Sequence, residues 1–467
     1  MEKIRVGFLP LYVLMYDEGN PAARVPREAY AEKLAGLLEE EGLSLVKAPV
    51  CRTAEEFDAA AVLFEEADVS AVITYHLAYS PSLESIEALS RLSVPIVVLD
   101  TTPDFELIRL AETRNLIGDN HGIHGVQDMC NLLKRRGRTY FVCAGHIENS
   151  SVIREAAGLC RAAAAAKAFR GMRIGSAGGV FPGMGDFQIS EERLREEIGA
   201  EVEVLTPDVS EKALQAVTAE EIEAEMALDR EKYRVEIVKE DCYRECVRAG
   251  LALRKWMEEK RLSACTVNFR GLKECGLPKM PFPECCKIME RGQGYAGEGD
   301  VLTAGLVGAL MSAYPDTSFT EMFCPDWKED TLLLSHMGET NPKLGAWKTL
   351  LADRKFRWTG GDTAAMYGCF RPGKAVIVNL APMKDGFSLI LCPGELRDCG
   401  LETGAYAKSN QGWFRPGMPL PAFLRAYSEA GGTHHSALVY DADMEELAAF
   451  GKMMGFEVIR LDGSAAV

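Results

Sequence analysis

The chain has 467 residues, 47% of them hydrophobic, and a formal net charge of −17. Such a length allows about two or three domains with buried cores, and the acidic balance argues against a nucleic-acid partner, whose phosphates need a basic footprint. No apolar run is long enough to span a bilayer, and the start Met1-Glu2-Lys3-Ile4-Arg5 opens no signal peptide. The expectation is therefore a cytoplasmic protein with no membrane partner.

The elements alternate from the first residues. A strand is predicted over 5–9, then an amphipathic helix over 27–41 ending at Gly42. Apolar runs rich in Val, Ile and Thr at 69–75, 95–100 and 139–144 read as buried parallel strands, with helices such as 82–92 between them. This is the βαβ rhythm of a doubly wound sheet. A second unit opens at Met172-Arg173-Ile174-Gly175 and passes through a glycine-rich stretch to Gly183-Met184-Gly185-Asp186. It continues with a strand at 201–205, a long charged helix around 236–260 and a strand at 264–268. After about residue 318 the texture changes to short strands (331–334, 375–380, 387–391, 436–439) without regular helices between them, separated by turn residues. A helix at 444–454, capped by Gly455, and a strand at 457–461 close the chain. The expected fold class is α/β: two Rossmann-like α/β domains, 1–170 and 171–318, followed by a mostly antiparallel β-barrel-like domain at 319–467.

Fourteen cysteines are many for this length. None forms a C-x-x-C pair; Cys242 and Cys246 are spaced to share a helix face, and Cys285-Cys286 is a doublet. Disulfide frameworks belong to small secreted domains, and the ligand spacing of zinc sites is absent. Reduced, mostly buried thiols acting as small hydrophobes are expected.

Four distant stretches carry the chemistry: Gly297-Glu298-Gly299-Asp300, Phe319-Thr320-Glu321-Met322, Ser335-His336-Met337 and Gly432-Thr433-His434-His435. Two carboxylates and two imidazoles suit a divalent first-row metal with open positions for substrate. Each has a plainer reading. Glu298 and Asp300 precede a helix at 301–314, where acids balance the helix dipole and Asp300 is a good N-cap. His336 follows an apolar strand, where a histidine is often a hydrogen-bonded core residue. His434 and His435 are adjacent, and neighbours on an extended chain point to opposite sides. His121 and His124, in Asn120-His121-Gly122-Ile123-His124-Gly125, share a helical face and suit a helix start, a substrate contact or a second metal site. The stretch from Gly175 to Gly185 does not match G-x-G-x-x-G or a P-loop, so a tight turn or close backbone approach is the reading there.

Taken in order, these stretches resemble L-arabinose isomerase and, more distantly, L-fucose isomerase. The resemblance runs through Thr266-Val267-Asn268-Phe269, Gly294-Tyr295-Ala296-Gly297-Glu298-Gly299-Asp300, Thr317-Ser318-Phe319-Thr320-Glu321, Ser335-His336-Met337 and Gly431-Gly432-Thr433-His434-His435. It implies a three-domain isomerase interconverting an aldose and its ketose with Mn²⁺ or another divalent metal. By resemblance Glu298, Glu321, His336 and His435 are the metal ligands, and Glu298 and Glu321 also exchange the proton. His124 matches a histidine that reaches the sugar from a neighbouring subunit, which implies a homo-oligomer, a hexamer, with sites at subunit interfaces. His121, Tyr12, Phe269, His434 and, with a gap placed before it, Met184 match substrate-side positions. Two departures stand on the sugar side: His121 replaces a glutamine, and Leu9 stands where the family has another. They imply a sugar other than L-arabinose, and a charged His121 would suit an anionic one.

The chemistry explains the residue types. Moving a carbonyl between C1 and C2 passes through an enediolate, with charge on two neighbouring oxygens. A chelating metal stabilises that charge, and carboxylates beside it serve as base and acid. The competing readings are a sugar-binding protein without catalysis, which needs no converging acids and histidines, and an epimerase or lyase using the same enediolate.

Overall fold

The computed structural model describes residues 3–108, 116–356 and 361–463. The chain divides into two compact units, Met1–Lys167 and Ala168–Val467.

The first unit is a five-stranded sheet of β1 (Ile4–Leu11), β2 (Leu43–Lys47), β3 (Val72–His76), β4 (Ile96–Asp100) and β5 (Tyr140–Ala144) in the order β2-β1-β3-β4-β5. Every pairing is parallel, as the near-continuous apolar strands require. Helices Ala54–Glu66, Ser82–Arg91 and Ile123–Arg135 bury Phe57, Phe64, Ile86, Leu89, Met129 and Leu133 against Leu9, Val72 and Val98. His124 lies in the first turn of the last of these helices.

His76 closes β3 and is buried, with neither ring nitrogen hydrogen-bonded among the described residues. Gly125 leaves room for it, since a Cβ there would sit 2.7 Å from its Cδ2. Burial, joined by the charge of His124, pushes the His76 imidazole down to about 3. A depressed histidine supports the fold fully above its unfolded value of about 6.5 and loses that support as pH falls towards 3, at roughly 1.4 kcal/mol per pH unit. Thermal unfolding at stepped pH should show wild-type stability falling more steeply than His76→Gln between about pH 6 and 4. Parallel profiles for the two proteins would contradict this.

The second unit opens with a parallel sheet of β6 (Arg173–Ala177), β7 (Glu201–Val204), β9 (Ala264–Val267) and β10 (Gly294–Gly297), in the order β10-β9-β6-β7. It thus repeats the Rossmann-like pattern. A six-membered antiparallel ring follows: β11 (Thr317–Asp326), β12 (Thr331–Ser335), β15 (Gly373–Pro382), β16 (Phe387–Arg397), β17 (Gly412–Pro416) and β18 (His435–Tyr440). The order β15-β18-β11-β12-β17-β16 closes through the β15–β16 pairing, and β19 (Glu457–Arg460) joins β16 in parallel. Closure removes the sheet edges. The ring is filled by Leu334, Ile377, Ile390, Phe414 and Leu438. Helix Val301–Met311 is buried from Leu302 to Met311 and packs on β9 and β10 as well as β11 and β18, which brings the C-terminal end of β10 to the barrel.

Two features depart from the sequence reading. Helix Leu420–Glu429 lies between β17 and β18, where no regular helix was expected; Pro419 at its N-cap and Pro421 in its first turn suit a helix start. A small sheet, β14-β13-β8, joins β8 (Arg234–Glu236), β13 (Leu350–Arg354) and β14 (Thr363–Tyr367). Its strands are three to five residues long, and β13 and β14 contain alanine, a weak strand former.

Candidate metal centre

At the C-terminal end of β10 the chain turns on Gly297-Glu298-Gly299. Glu298 has φ +64°, which non-glycine residues seldom adopt. The turn is pinned from several sides. The Glu298 amide donates to the Val267 carbonyl at 3.0 Å, and the Phe181 amide donates to the Glu298 carbonyl at 2.9 Å. The Thr266 hydroxyl donates to the Gly297 carbonyl and accepts from the Gly299 amide, at 3.2 and 3.0 Å. The flanking glycines are steric necessities: a Cβ on Gly297 would sit 2.7 Å from His336 Cε1, and one on Gly299 would sit 2.6 Å from Val180 Cα. Asp300 then caps helix Val301–Met311, accepting from the Thr303 amide at 2.8 Å, while its other oxygen lies 3.0 Å from His435 Nδ1.

The barrel register supplies the facing side. Glu321 on β11 stands opposite Ser335 of β12 and His435 of β18, which places it between His435 and His336, the residue after Ser335. Glu298 Oε2 is 3.5 Å from His435 Nε2 and 3.9 Å from His434 Nε2, and Glu321 Oε2 is 3.9 Å from His336 Nε2. Ligand atoms of Glu298, His336 and His435 all fall within 4.8 Å of one another. Glu321 stands beside this group and is more open than Glu298, with a side chain 22% exposed against 8%.

Each of two imidazoles is held by a buried carboxylate on its far nitrogen: His435 by Asp300, and His336 by Glu339 at 2.6 Å. Glu339 in turn accepts from the Tyr295 hydroxyl at 3.1 Å. Such carboxylate–histidine pairs fix the ring and direct Nε2 towards a metal. His435 Nε2 is buried and has no hydrogen-bond partner among the described residues. An unsatisfied nitrogen facing a carboxylate is costly without an occupant, and this donor set fits a divalent cation. Phe319 packs edge-on against His336 and His435, and Phe187 stacks on His435 at 5.1 Å.

The charges match that fit. Burial opposes ionisation of Glu298, but the imidazoles of His434 and His435 at 3.9 and 3.5 Å and the charge of His336 hold it well below the usual carboxylate range. Burial likewise opposes charge on His435, yet Asp300 and Glu298 hold it well above the usual imidazole range. Burial pushes Glu321 up, only partly offset by His336 and His435. Asp300 and Glu298 thus favour a protonated His435 in the metal-free protein, and a metal ligand must be deprotonated. Calorimetric titration of the metal-free protein with Mn²⁺, in two buffers of different ionisation enthalpy, should show about one proton released per ion. Release of none would contradict the pairing.

Other residues predicted from the sequence fall in separate places. His434 sits beside His435, its Nδ1 2.6 Å from Asp186 and its amide donating to the same carboxylate at 3.0 Å. Its ring therefore joins His435 near Glu298 rather than pointing to the opposite side, because the residue before β18 is not extended strand. Phe269 is buried between Phe181 and Phe356, and Met184 lies in the loop that donates its amide to the Phe181 carbonyl. The described contacts of these two do not include the metal-centre residues. In the first unit, His124 stacks on Tyr79 at 4.6 Å and lies 5.3 Å from the His121 ring, while the Tyr16 hydroxyl meets His121 Nε2 at 3.0 Å and Tyr12 packs on Tyr16. Burial, His124 and Arg27 hold His121 below the usual imidazole range, so the positive charge expected of it from sequence does not fit its surroundings. Asp186, Phe187 and Glu339 escaped the sequence reading. Glu339 carries a faint signal, three residues after His336; Asp186 lies 248 residues from its partner and carries none.

Residues 192–314 match the L-arabinose isomerase central domain and residues 316–457 the L-arabinose isomerase C-terminal domain. The chain belongs to the L-arabinose isomerase family. An L-arabinose isomerase from Aeromonas hydrophila is 26% identical over 402 residues, covering 82% of this chain and 79% of its own length. One from Thermotoga maritima is 27% identical over 465 residues, covering 93% and 90%. Among solved structures, a periplasmic solute-binding protein from Actinobacillus succinogenes with bound D-allose matches at a TM-score of 0.18 and 13% identity, over 67% of this chain and 92% of its own. A likeness that slight carries no argument. Among the described residues no helix is long and apolar enough to cross a membrane.

Proposed function

We propose that this chain is a metal-dependent aldose–ketose isomerase whose open-chain substrate reacts at Glu298, Glu321, His336 and His435. The observation that supports it most is the buried, unpartnered His435 Nε2 facing Glu298, with His336 and Glu321 alongside. A divalent cation held there, Mn²⁺ by family likeness, supplies Lewis-acid stabilisation of the developing enediolate. The protein's own groups divide the proton work. Glu298, held ionised by its histidines, is the anion of the site and the group suited to handle the hydroxyl proton. Glu321, the more solvent-accessible of the two and raised by partial desolvation, is the group suited to take the carbon-bound proton, exchange it with solvent and deliver a proton to the next carbon. Environments that push two carboxyls apart in this way commonly divide acid and base roles. Phe187 and Phe319 wall the histidines with apolar rings, which strengthens electrostatics there.

The substrate we propose is a neutral aldose other than L-arabinose. The family's amide at position 121 is replaced by an imidazole that its surroundings keep uncharged. An aldose panel with Mn²⁺, scored by kcat/KM for ketose formation, tests both statements. Isomerisation of some neutral aldose in preference to L-arabinose is expected. Binding without turnover would favour a sugar-binding protein, epimer formation an epimerase, and L-arabinose as best substrate would end the substrate assignment. We further propose a homo-oligomer, a hexamer by family likeness, in which His124 of one subunit serves a neighbour's substrate. Light scattering should find no fully active monomer.

A further inference from the structure

Helix Glu240–Lys260 carries Cys242 in its first turn and Cys246 one turn later. Both sulfurs face the start of β14. The Cys242 thiol donates to the Asp362 carbonyl at 3.0 Å, and Lys279 Nζ donates to that same carbonyl at 3.1 Å. Cys246 Sγ lies 3.1 Å from the Thr363 hydroxyl and accepts from the Ala364 amide at 3.3 Å. Cys242 is only partly buried, while Cys246 lies beneath it in the core. No disulfide is present; all fourteen cysteines are free, and only Cys324 and Cys399 are exposed. The pair lies far from the metal centre in sequence, and the isomerase chemistry has no use for it.

We propose that Cys242 and Cys246 form a dithiol modification site that reacts with a small hydroperoxide and closes to an intramolecular disulfide. The Cys242 sulfur attacks the terminal peroxide oxygen. An S–O bond forms, the O–O bond breaks, and the alcohol or water leaves with the thiol's proton, giving a sulfenic acid. The Cys246 sulfur then attacks Cys242, forming the S–S bond and releasing water. The two thiols supply both electrons that reduce the peroxide.

Two physical features support the order of events. The neighbouring Cys246 sulfur, against the cost of burial and with help from the Lys279 charge, brings the Cys242 thiol below its usual value. Cys246 is raised by the same contact, so the accessible sulfur is the attacking one. Helical residues four apart have Cβ atoms about 5–6 Å apart, against about 3.8 Å in a disulfide. The first turn must therefore give by roughly 2 Å. That turn is the helix end, and the N-cap residue Lys239 makes no side-chain capping bond to it. A bridge closed at this cost is readily reduced.

The test uses the full chain. Trypsin cuts after Arg244, between the two cysteines. Brief treatment with hydrogen peroxide, quenching with N-ethylmaleimide and digestion should yield the 240–244 and 245–248 peptides joined and two hydrogens lighter than their sum. Dithiothreitol should separate them. In untreated protein at pH 7, iodoacetamide should modify Cys242 about fivefold faster than an ordinary exposed thiol, its greater ionisation outweighing its weaker intrinsic nucleophilicity. In Cys246→Ala, peroxide should leave a Cys242 sulfenic acid that dimedone traps. Modification of Cys324 or Cys399 ahead of Cys242 would overturn the proposal, as would dimedone capture at Cys242 in wild type with no joined peptides.

Discussion

Glu298→Gln should abolish turnover and weaken metal binding together. The amide keeps the shape of the side chain but removes the anion that His434, His435 and His336 stabilise. It also removes one of the carboxylates that favour a charged His435. Loss of a positioned acid–base group costs about 10²–10⁴-fold in rate, and loss of a charged ligand adds to that. Glu321→Gln should separate the two effects. Glu321 stands beside the group whose ligand atoms lie within 4.8 Å, so this variant should retain more of its Mn²⁺ affinity while losing turnover. Paired measurements of Mn²⁺ dissociation constant and kcat check both. Retention of more than a tenth of the wild-type rate by either variant would remove that residue from proton transfer.

Gly299→Ala should be strongly destabilising. Its φ of +86° is unfavourable for any side chain, and the new Cβ would meet the Gly179 carbonyl oxygen and, at 2.6 Å, Val180 Cα. Both neighbours are backbone and cannot swing aside. A left-handed non-glycine residue costs about 1–2 kcal/mol, and overpacking adds typically 1–3, so the melting temperature should drop by at least ~4 °C. Gly185→Ala, in the same glycine-rich region but with no atom within 4 Å of its added Cβ, should melt within about 1 °C of wild type. Equal melting temperatures for the two variants would show that the close approach at Gly299 is not rigid.

What could be read from the sequence followed from local physics. The apolar runs that became β3 and β4 were legible because strands buried on both faces are apolar throughout. Gly455 was legible as a helix stop because its φ of +78° suits only glycine well. The acids and histidines could be picked out as chemically apt, and Glu298 drew notice from its flanking glycines. What makes them one centre is register: Glu321 faces Ser335 and His435 only because β11 pairs with β12 and β18, and closure of a barrel leaves no local trace. The supports were hidden for the same reason. Asp300 reads as a helix cap, which it is, and its second oxygen on His435 depends on a strand 135 residues away. β13 and β14 were missed because short alanine-containing segments carry little strand signal.

In the proposed reaction these carboxylates move a proton between neighbouring carbons of an open-chain sugar. The most direct measurement is isomerisation in D₂O by the Mn²⁺-loaded protein, with the preferred aldose from the panel and the ketose examined by mass spectrometry and proton NMR. Proton transfer through an enediolate predicts ketose carrying deuterium at C1, formed only when metal is present and lost in Glu321→Gln. Ketose free of deuterium, or no metal-dependent ketose from any aldose, would contradict the account.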